Sequence, residues 1–208
     1  MRLWLVRHPK PLIEQGVCYG ASEVPCDPVS VQEAAHLLVK AWPECTRIVS
    51  SPLQRCEHLA QALCDLAPNR AYEIEPDLAE MNFGQWELRP WQAIAQSQLA
   101  AWTADFAHYR CGSDGESTAQ FIQRVAACLL NHWREGEDAV WITHAGVIRA
   151  LRWLERQPGF LEWFDRATQG RTQIVTIPEI LFNELRSEDW PQEAVAYCQV
   201  QVWPMQWA

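Results

Sequence analysis

The stretch Arg47–Leu66, RIVSSPLQRCEHLAQALCDL, decides the fold class. It opens on a short run, Arg47-Ile48-Val49-Ser50, that breaks at Ser51-Pro52. A brief apolar run without polar alternation reads as a strand covered on both faces, as in a parallel sheet. Ser51 and Pro52 then supply a capping hydroxyl and a first-turn proline. Leu59, Leu63 and Leu66 follow at helical spacing, so a helix facing inward through Leu66 is expected. Strand, tight turn and returning helix are the unit of an α/β sheet.

The alternation continues on either side. Leu3-Trp4-Leu5-Val6 reads as a buried strand that stops before Pro9, and Ser30–Trp42 as a helix with Ala34, Leu37, Leu38 and Trp42 on one side. Tyr72–Ile74 is a third strand, ended by Pro76. A helix is expected over Ala119–Trp133, with Phe121, Val125, Cys128 and Leu129 on its buried face. Ala139–Thr143 is the next strand and Ala145–Glu155 the helix after it, with later strand candidates at Gln173–Ile177 and Ala194–Trp203. Residues 77–115 carry mixed signals, including a helical piece over Trp91–Phe106, and read as a cap-like insertion above the core. The expectation is one domain over residues 1–208, a three-layer α/β/α sandwich with a mostly parallel central sheet.

Composition narrows the function. With 49% apolar and 21% charged residues among 208, the chain can bury its own core, which excludes disorder as its main state. The net charge of −9 argues against nucleic acid or an anionic membrane as partner, since both demand a basic face. Any anion must therefore meet a local cluster of positive charge. The apolar run before Arg7 is too short for a signal peptide, and nothing approaches the ~18 apolar residues of a membrane span, so a cytoplasmic location is expected. Eight cysteines are present; the linear reading finds no C-x-x-C and no Cys/His pair at ligand spacing, so reduced core thiols and no metal are expected. Of the twelve tryptophans, Trp4 and Trp141 fall on core strands, whereas Trp86, Trp91 and Trp102 lie in or beside the insertion, where flat rings can line a pocket.

Ligands of open α/β sheets bind beyond the carboxyl ends of the strands. Three such ends carry polar groups: Arg7-His8-Pro9, then Ser50-Ser51-Pro52 with Arg55 one turn on, and Thr143-His144-Ala145-Gly146. Two Arg and two His suit a phosphoryl group, because guanidinium is a permanently charged planar fork of donors and neutral imidazole can attack phosphorus. Arg124, Arg149 and Glu116 read as fold-supporting residues. His36, His58, His108 and His132 read as surface or packing residues inside helices.

These islands resemble, in order and spacing, the histidine phosphatase superfamily (phosphoglycerate mutase-like). They are LVRH at 5–8, SSPLQR at 50–55, DLAEMNFGQWE at 77–87, GES at 115–117 and VWITHAGVIR at 140–149. The resemblance implies that His8 becomes phosphohistidine, that Arg7, Arg55 and His144 hold the phosphoryl oxygens, and that Glu80 protonates the leaving oxygen and then activates water. Within the superfamily, the small size and GVCYGASE at 16–23 are most similar to alpha-ribazole phosphatase-like members. No cofactor is implied. The implied partner is a small phosphorylated metabolite, alpha-ribazole phosphate among the candidates, handled by a monomer or homodimer.

The resemblance departs in the loop after His8, where Lys10, Pro11 and Glu14 stand in place of the acidic or amide residue, the hydroxyl residue and the Asn usual in the superfamily. The superfamily places Gly after the nucleophilic histidine, where this chain has Pro9 and so lacks one backbone N–H. Lys10, next along, is expected to replace that donor, and Ser51 to join it in binding substrate. Two other readings compete with hydrolysis: a mutase that returns the phosphoryl group to substrate, and a phosphate-binding protein without turnover. The short interval from Arg55 to Glu80 favours hydrolysis over a mutase.

Overall fold

The computed structural model describes residues 2–41, 46–134, 136–168, 182 and 185–203. In chain order its elements are β1 (Leu3–Arg7), β2 (Val17–Cys18), α1 (Pro28–Leu38), β3 (Arg47–Ser50), α2 (Gln54–Leu66), β4 (Tyr72–Ile74), β5 (Arg89–Pro90), α3 (Gln96–Ala104), α4 (Thr118–His132), β6 (Ala139–Thr143), α5 (Ala145–Arg156), α6 (Phe160–Thr168) and β7 (Val200–Trp203).

Ile48 and Val49 are fully buried because β3 is an interior strand of a five-stranded sheet ordered β4-β3-β6-β1-β7. β4, β3, β6 and β1 run parallel, and β7 closes the β1 edge antiparallel. Alternate residues of each strand enter opposite layers, as the strand period of two requires. Val140 and Ile142 of β6 pack with Val31, Leu38, Leu59 and Leu63 of α1 and α2. Ala139 and Trp141 pack on the other face with α4, α5 and α6, among them Phe121, Leu129, Leu151 and Phe160. At roughly 1.5–3 kcal/mol for each fully buried large apolar side chain, these two layers hold the strand ends in place.

Local details differ from the sequence expectation in ways the chemistry explains. α1 starts at Pro28 because the Asp27 carboxylate accepts the Ser30 N–H at 3.0 Å. Its buried stripe is Val31, Ala34, Ala35 and Leu38, which leaves Leu37 exposed; Leu66, at the last position of α2, is likewise exposed. Ser51 does not cap α2, which begins three residues later at Gln54. The Ser51 hydroxyl instead accepts the Leu53 N–H, a local turn that competes with a cap. α4 is opened by a reciprocal capping box between Ser117 and Gln120. The helix expected over Trp91–Phe106 divides into a 3-10 turn at Trp91–Ala93 and α3. Of the later strand candidates, Ala194–Trp203 contains β7, and Gln173–Ile177 lies outside the described residues.

Between β4 and α4 the chain leaves the sheet and folds above its carboxyl edge. β5 pairs antiparallel with β2, Val17 opposite Pro90 and Cys18 opposite Arg89, fastening this segment to the loop after β1. Phe83, Trp86, Trp91, Trp102 and Phe106 form a chain of ring contacts with centroids 5.4–6.4 Å apart. Gly112, at φ +55, lets two turns meet here; a Cβ would lie 2.8 Å from the Trp86 nitrogen.

Candidate active site

β1, β3 and β6 end side by side, and the polar residues beyond them meet. The His8 N–H donates to the Thr143 carbonyl at 2.9 Å, and the Ser51 N–H to Ile142 at 3.0 Å. The rings of His8 and His144 lie 5.1 Å apart by centroid, and both residues are buried.

The His8 imidazole is oriented by its neighbour, its Nδ1 lying 2.6 Å from the Pro9 carbonyl. A carbonyl only accepts, so Nδ1 carries the proton and the Nε2 lone pair is free. Burial, and then the charge of Arg55, hold the His8 pKa well below 6.5, with Arg7 adding to the same effect. His144 is depressed likewise by burial and by Arg55. The Ser51 hydroxyl lies 2.7 Å from His144 Nε2, and the buried Cys56 thiol sits behind the same ring at 3.5 Å. Ser51 is thus placed to orient His144, its hydroxyl already engaged there and by Leu53.

The two arginines are held by carbonyls. Arg55 is fully buried and donates to the Ser22 carbonyl at 2.7 Å and to that of Gly20. Arg7 donates to the Val195 carbonyl and lies 3.9 Å from the centre of the Tyr197 ring. Each keeps a buried Nε without a partner, and among the described residues neither makes an ion pair with a carboxylate. Buried guanidinium without a counter-charge is costly, and an anion bound between them relieves that cost.

Glu80 faces these groups from the cap. Its Oε2 accepts the Gly146 N–H at 3.0 Å and its Oε1 the Met81 N–H at 3.0 Å. Any side chain at 146 would collide with it, the Glu80 Cδ lying 2.9 Å from a Cβ placed there. Arg124 holds the approach from below, donating to the carbonyls of Asp77 at 2.7 Å and Ala79 at 3.0 Å while paired with Glu116 at 2.8 Å. Glu116 in turn accepts the Asn82 N–H at 2.9 Å. Arg124 and Glu116 do support the fold, and the element they support is the loop carrying Glu80.

A cavity of about 420 Å³ opens above, lined by Arg7, Tyr19, Glu80, Gly146 and Arg149 together with Phe83, Trp91, Trp102, Phe106 and Trp190. His8 does not itself line this cavity; its neighbour Arg7 does, and its ring lies 5.7 Å from that of Tyr197, which lines a second cleft. Arg149 lines the cavity instead of serving only the fold. The i, i+3 spacing from Gly146 puts it on the same face of α5, a signal available in the sequence. Tyr197 and Val195 carried no such signal, because only β7, antiparallel beside β1, brings their segment over the site. Lys10 is exposed and lines that second cleft with Glu14, Tyr19 and Tyr197, the last two of which also contact Arg7. No helix among the described residues is long and apolar enough to cross a membrane.

A parallel sheet whose carboxyl edge gathers a neutral buried histidine, a second histidine and two uncompensated arginines defines a phosphoryl-handling α/β enzyme. The sequence profile of the Histidine phosphatase superfamily (branch 1) matches residues 3–179, and the chain belongs to that family. It is 28% identical over 188 residues to the adenosylcobalamin/alpha-ribazole phosphatase of Salmonella typhimurium, covering 86% of this chain and 92% of that one. Among solved structures it is similar to a putative alpha-ribazole-5'-P phosphatase from Escherichia coli, with TM-score 0.65, 26% identity and 78% and 83% of the two chains covered. The alpha-ribazole phosphatase of Shigella flexneri gives TM-score 0.64 at 27% identity, with 78% and 84% covered. The chain is accordingly a phosphoric monoester hydrolase.

Proposed function

We propose that the chain hydrolyses a small organic phosphate monoester through a phosphohistidine at His8. The observation that carries this reading is the pair of guanidiniums, Arg55 fully buried and Arg7 partly so, with no carboxylate partner among the described residues, beside a neutral imidazole whose Nε2 is free. Nε2 attacks phosphorus in line with the ester oxygen; the N–P bond forms as the P–O bond breaks. Arg7, Arg55 and His144 hold the phosphoryl oxygens, the two guanidiniums supplying the positive charge that a loose phosphoryl-transfer transition state needs. Glu80 gives a proton to the leaving oxygen. Water then enters; Glu80 takes one of its protons as the oxygen bonds to phosphorus, the N–P bond breaks, and orthophosphate leaves. Glu80 is partly exposed, so water reaches the group that activates it, which favours hydrolysis over return of the phosphoryl group.

The leaving alcohol carries a flat apolar group. Phe83, Trp91, Trp102, Phe106 and Trp190 offer ring faces along the cavity wall, with Glu80 and Arg149 at the polar end. Alpha-ribazole phosphate fits that description, and the relatives named as alpha-ribazole phosphatases support it. The proposed setting is the cytoplasm, whose reducing conditions suit the seven described cysteines, all free.

Two measurements test the reading. Rapid acid-free quench of wild type during turnover gives a phosphoprotein that is acid-labile and absent from His8→Ala; an unchanged yield in that variant removes His8 as the nucleophile. A screen over alpha-ribazole phosphate, phosphoglycerates and sugar phosphates should give the highest kcat/KM with alpha-ribazole phosphate, whose alcohol carries an aromatic base, and equal rates on sugar phosphates reject the substrate assignment.

A further inference from the structure

Cys128 and His132 stand four residues apart on α4, a spacing that puts both on one helix face. The fold brings a third group to the same place. Cys128 Sγ, an imidazole nitrogen of His132 and a carboxylate oxygen of Glu75 all lie within 4.8 Å of one another, the only such grouping among the described residues. Glu75 comes from the end of β4, more than fifty positions away. Its Oε1 accepts the Asp77 N–H at 2.9 Å, which aims Oε2 at His132 Nε2, 2.6 Å away. The other ring nitrogen, Nδ1, is buried without a hydrogen-bond partner. The ring packs edge-on against Trp141 at 6.2 Å, which restricts its rotation.

We propose that Cys128, His132 and Glu75 bind a divalent cation of the zinc type. Thiolate and imidazole together select zinc and its first-row neighbours over magnesium or calcium. Ligand atoms around tetrahedral zinc sit about 3.3–3.7 Å from one another, given bond lengths of about 2.0–2.3 Å, so the 2.6 Å Glu75–His132 contact has to open by about 1 Å while the three ligand atoms, all within 4.8 Å, close around the ion. One thiolate and one carboxylate match the charge of a dication. Asp77, near enough to Cys128 to act on its charge, or a water completes the shell. In the binding step the S–H bond breaks, its proton passes to water and sulfur bonds the metal, with no change of oxidation state. Glu75, Cys128 and His132 do not line the catalytic cavity, so the ion acts as a clip between the segment after β4 and the last turn of α4.

Cobalt(II) added to the EDTA-treated, dialysed full-length protein tests this. One equivalent should give the visible bands of tetrahedral cobalt and a near-ultraviolet thiolate-to-cobalt band, both bleached by zinc. Cys128→Ser should lose the thiolate band, and His132→Gln and Glu75→Gln should each weaken cobalt binding at least tenfold. Zinc should raise the Tm of wild type and not that of His132→Gln, as preferential binding to the folded state requires. Absence of the bands in wild type overturns the site, as does a thiolate band of full strength in Cys128→Ser. Should Cys128→Ser fail to fold, unchanged affinity in His132→Gln and Glu75→Gln overturns it equally. Aryl phosphate hydrolysis should be the same with and without zinc, so failure of this site leaves the phosphohistidine reading untouched.

Discussion

His8 Nδ1 lies 2.6 Å from the carbonyl oxygen of Pro9, so the residue that departs from the family pattern also orients the imidazole beside it. Proline removes an N–H but keeps its carbonyl, and its ring restricts His8 to an extended conformation. Pro9→Gly should therefore retain kcat within a few-fold while losing stability by about 0.4–1 kcal/mol through the freer unfolded chain. Denaturant titration reads the stability and steady-state kinetics the rate. A collapse of kcat to the level of His8→Ala would mean that the proline ring itself shapes the site.

The pH behaviour follows from the two histidines. Burial and Arg55 hold both below 6.5 in the folded state, so between 6.5 and those depressed values the unfolded chain binds more protons than the folded one. Their contribution to stability is fully present above 6.5 and is lost as pH falls through that window. Tm should decline with acidification below about pH 6.5, and the decline should be shallower in His144→Asn. The acid limb of kcat/KM should also lie well below pH 6.5, because His8 stays neutral there; a limb centred near 6.5 would contradict the buried environment of Nε2.

Tyr197 covers His8, the proposed nucleophile, its ring 5.7 Å from that of His8 and stacked on the Arg7 guanidinium. A substrate phosphate must displace that contact, worth about 0.5–2 kcal/mol. Tyr197→Ala should thus lower KM for an aryl phosphate by roughly two- to thirtyfold, with kcat little changed. A rise in KM would show instead that the ring clasps the bound ester.

Much of this was legible in the sequence because it is local. Ile48, Val49 and the run Ala139–Thr143 are apolar on both faces, so they announce interior strands, and a parallel sheet then forces His8, Ser51 and His144 to one edge. Illegible were contacts made through tertiary placement. Ser51 looks like a helix cap until His144, more than ninety residues on, is seen to engage its hydroxyl. Lys10 follows the nucleophile in sequence, yet the chain turns it into the second cleft. Tyr197 arrives only with the antiparallel edge strand, and Glu75 looks like one of many carboxylates until α4 lays His132 against it.

Chelation tests where the positive charge at phosphorus comes from. In the proposed mechanism Arg7 and Arg55 supply it as guanidiniums tied to the carbonyls of Val195, Gly20 and Ser22. Hydrolysis of an aryl phosphate should persist in excess EDTA, whatever happens at Glu75, Cys128 and His132. Loss of activity on chelation, restored by added metal, would refute a transition state stabilised by arginine alone.

The acid is the most exposed to a single test, because Gly146 and Glu80 depend on each other. The Gly146 N–H donates to Glu80 Oε2 at 3.0 Å, and a Cβ at 146 would press on the carboxyl group. Removing the proton donor matters only when the leaving oxygen is a poor leaving group. Glu80→Gln should therefore slow an alkyl phosphate by roughly 100- to 10,000-fold and a nitrophenyl phosphate far less, since general acid catalysis supplies about that factor. Gly146→Ala, which displaces the carboxyl without deleting it, should show the same leaving-group bias in milder form, with inhibition by orthophosphate unchanged because Arg7, Arg55 and His144 are untouched. Equal slowing of both esters in either variant would move the acid role away from Glu80.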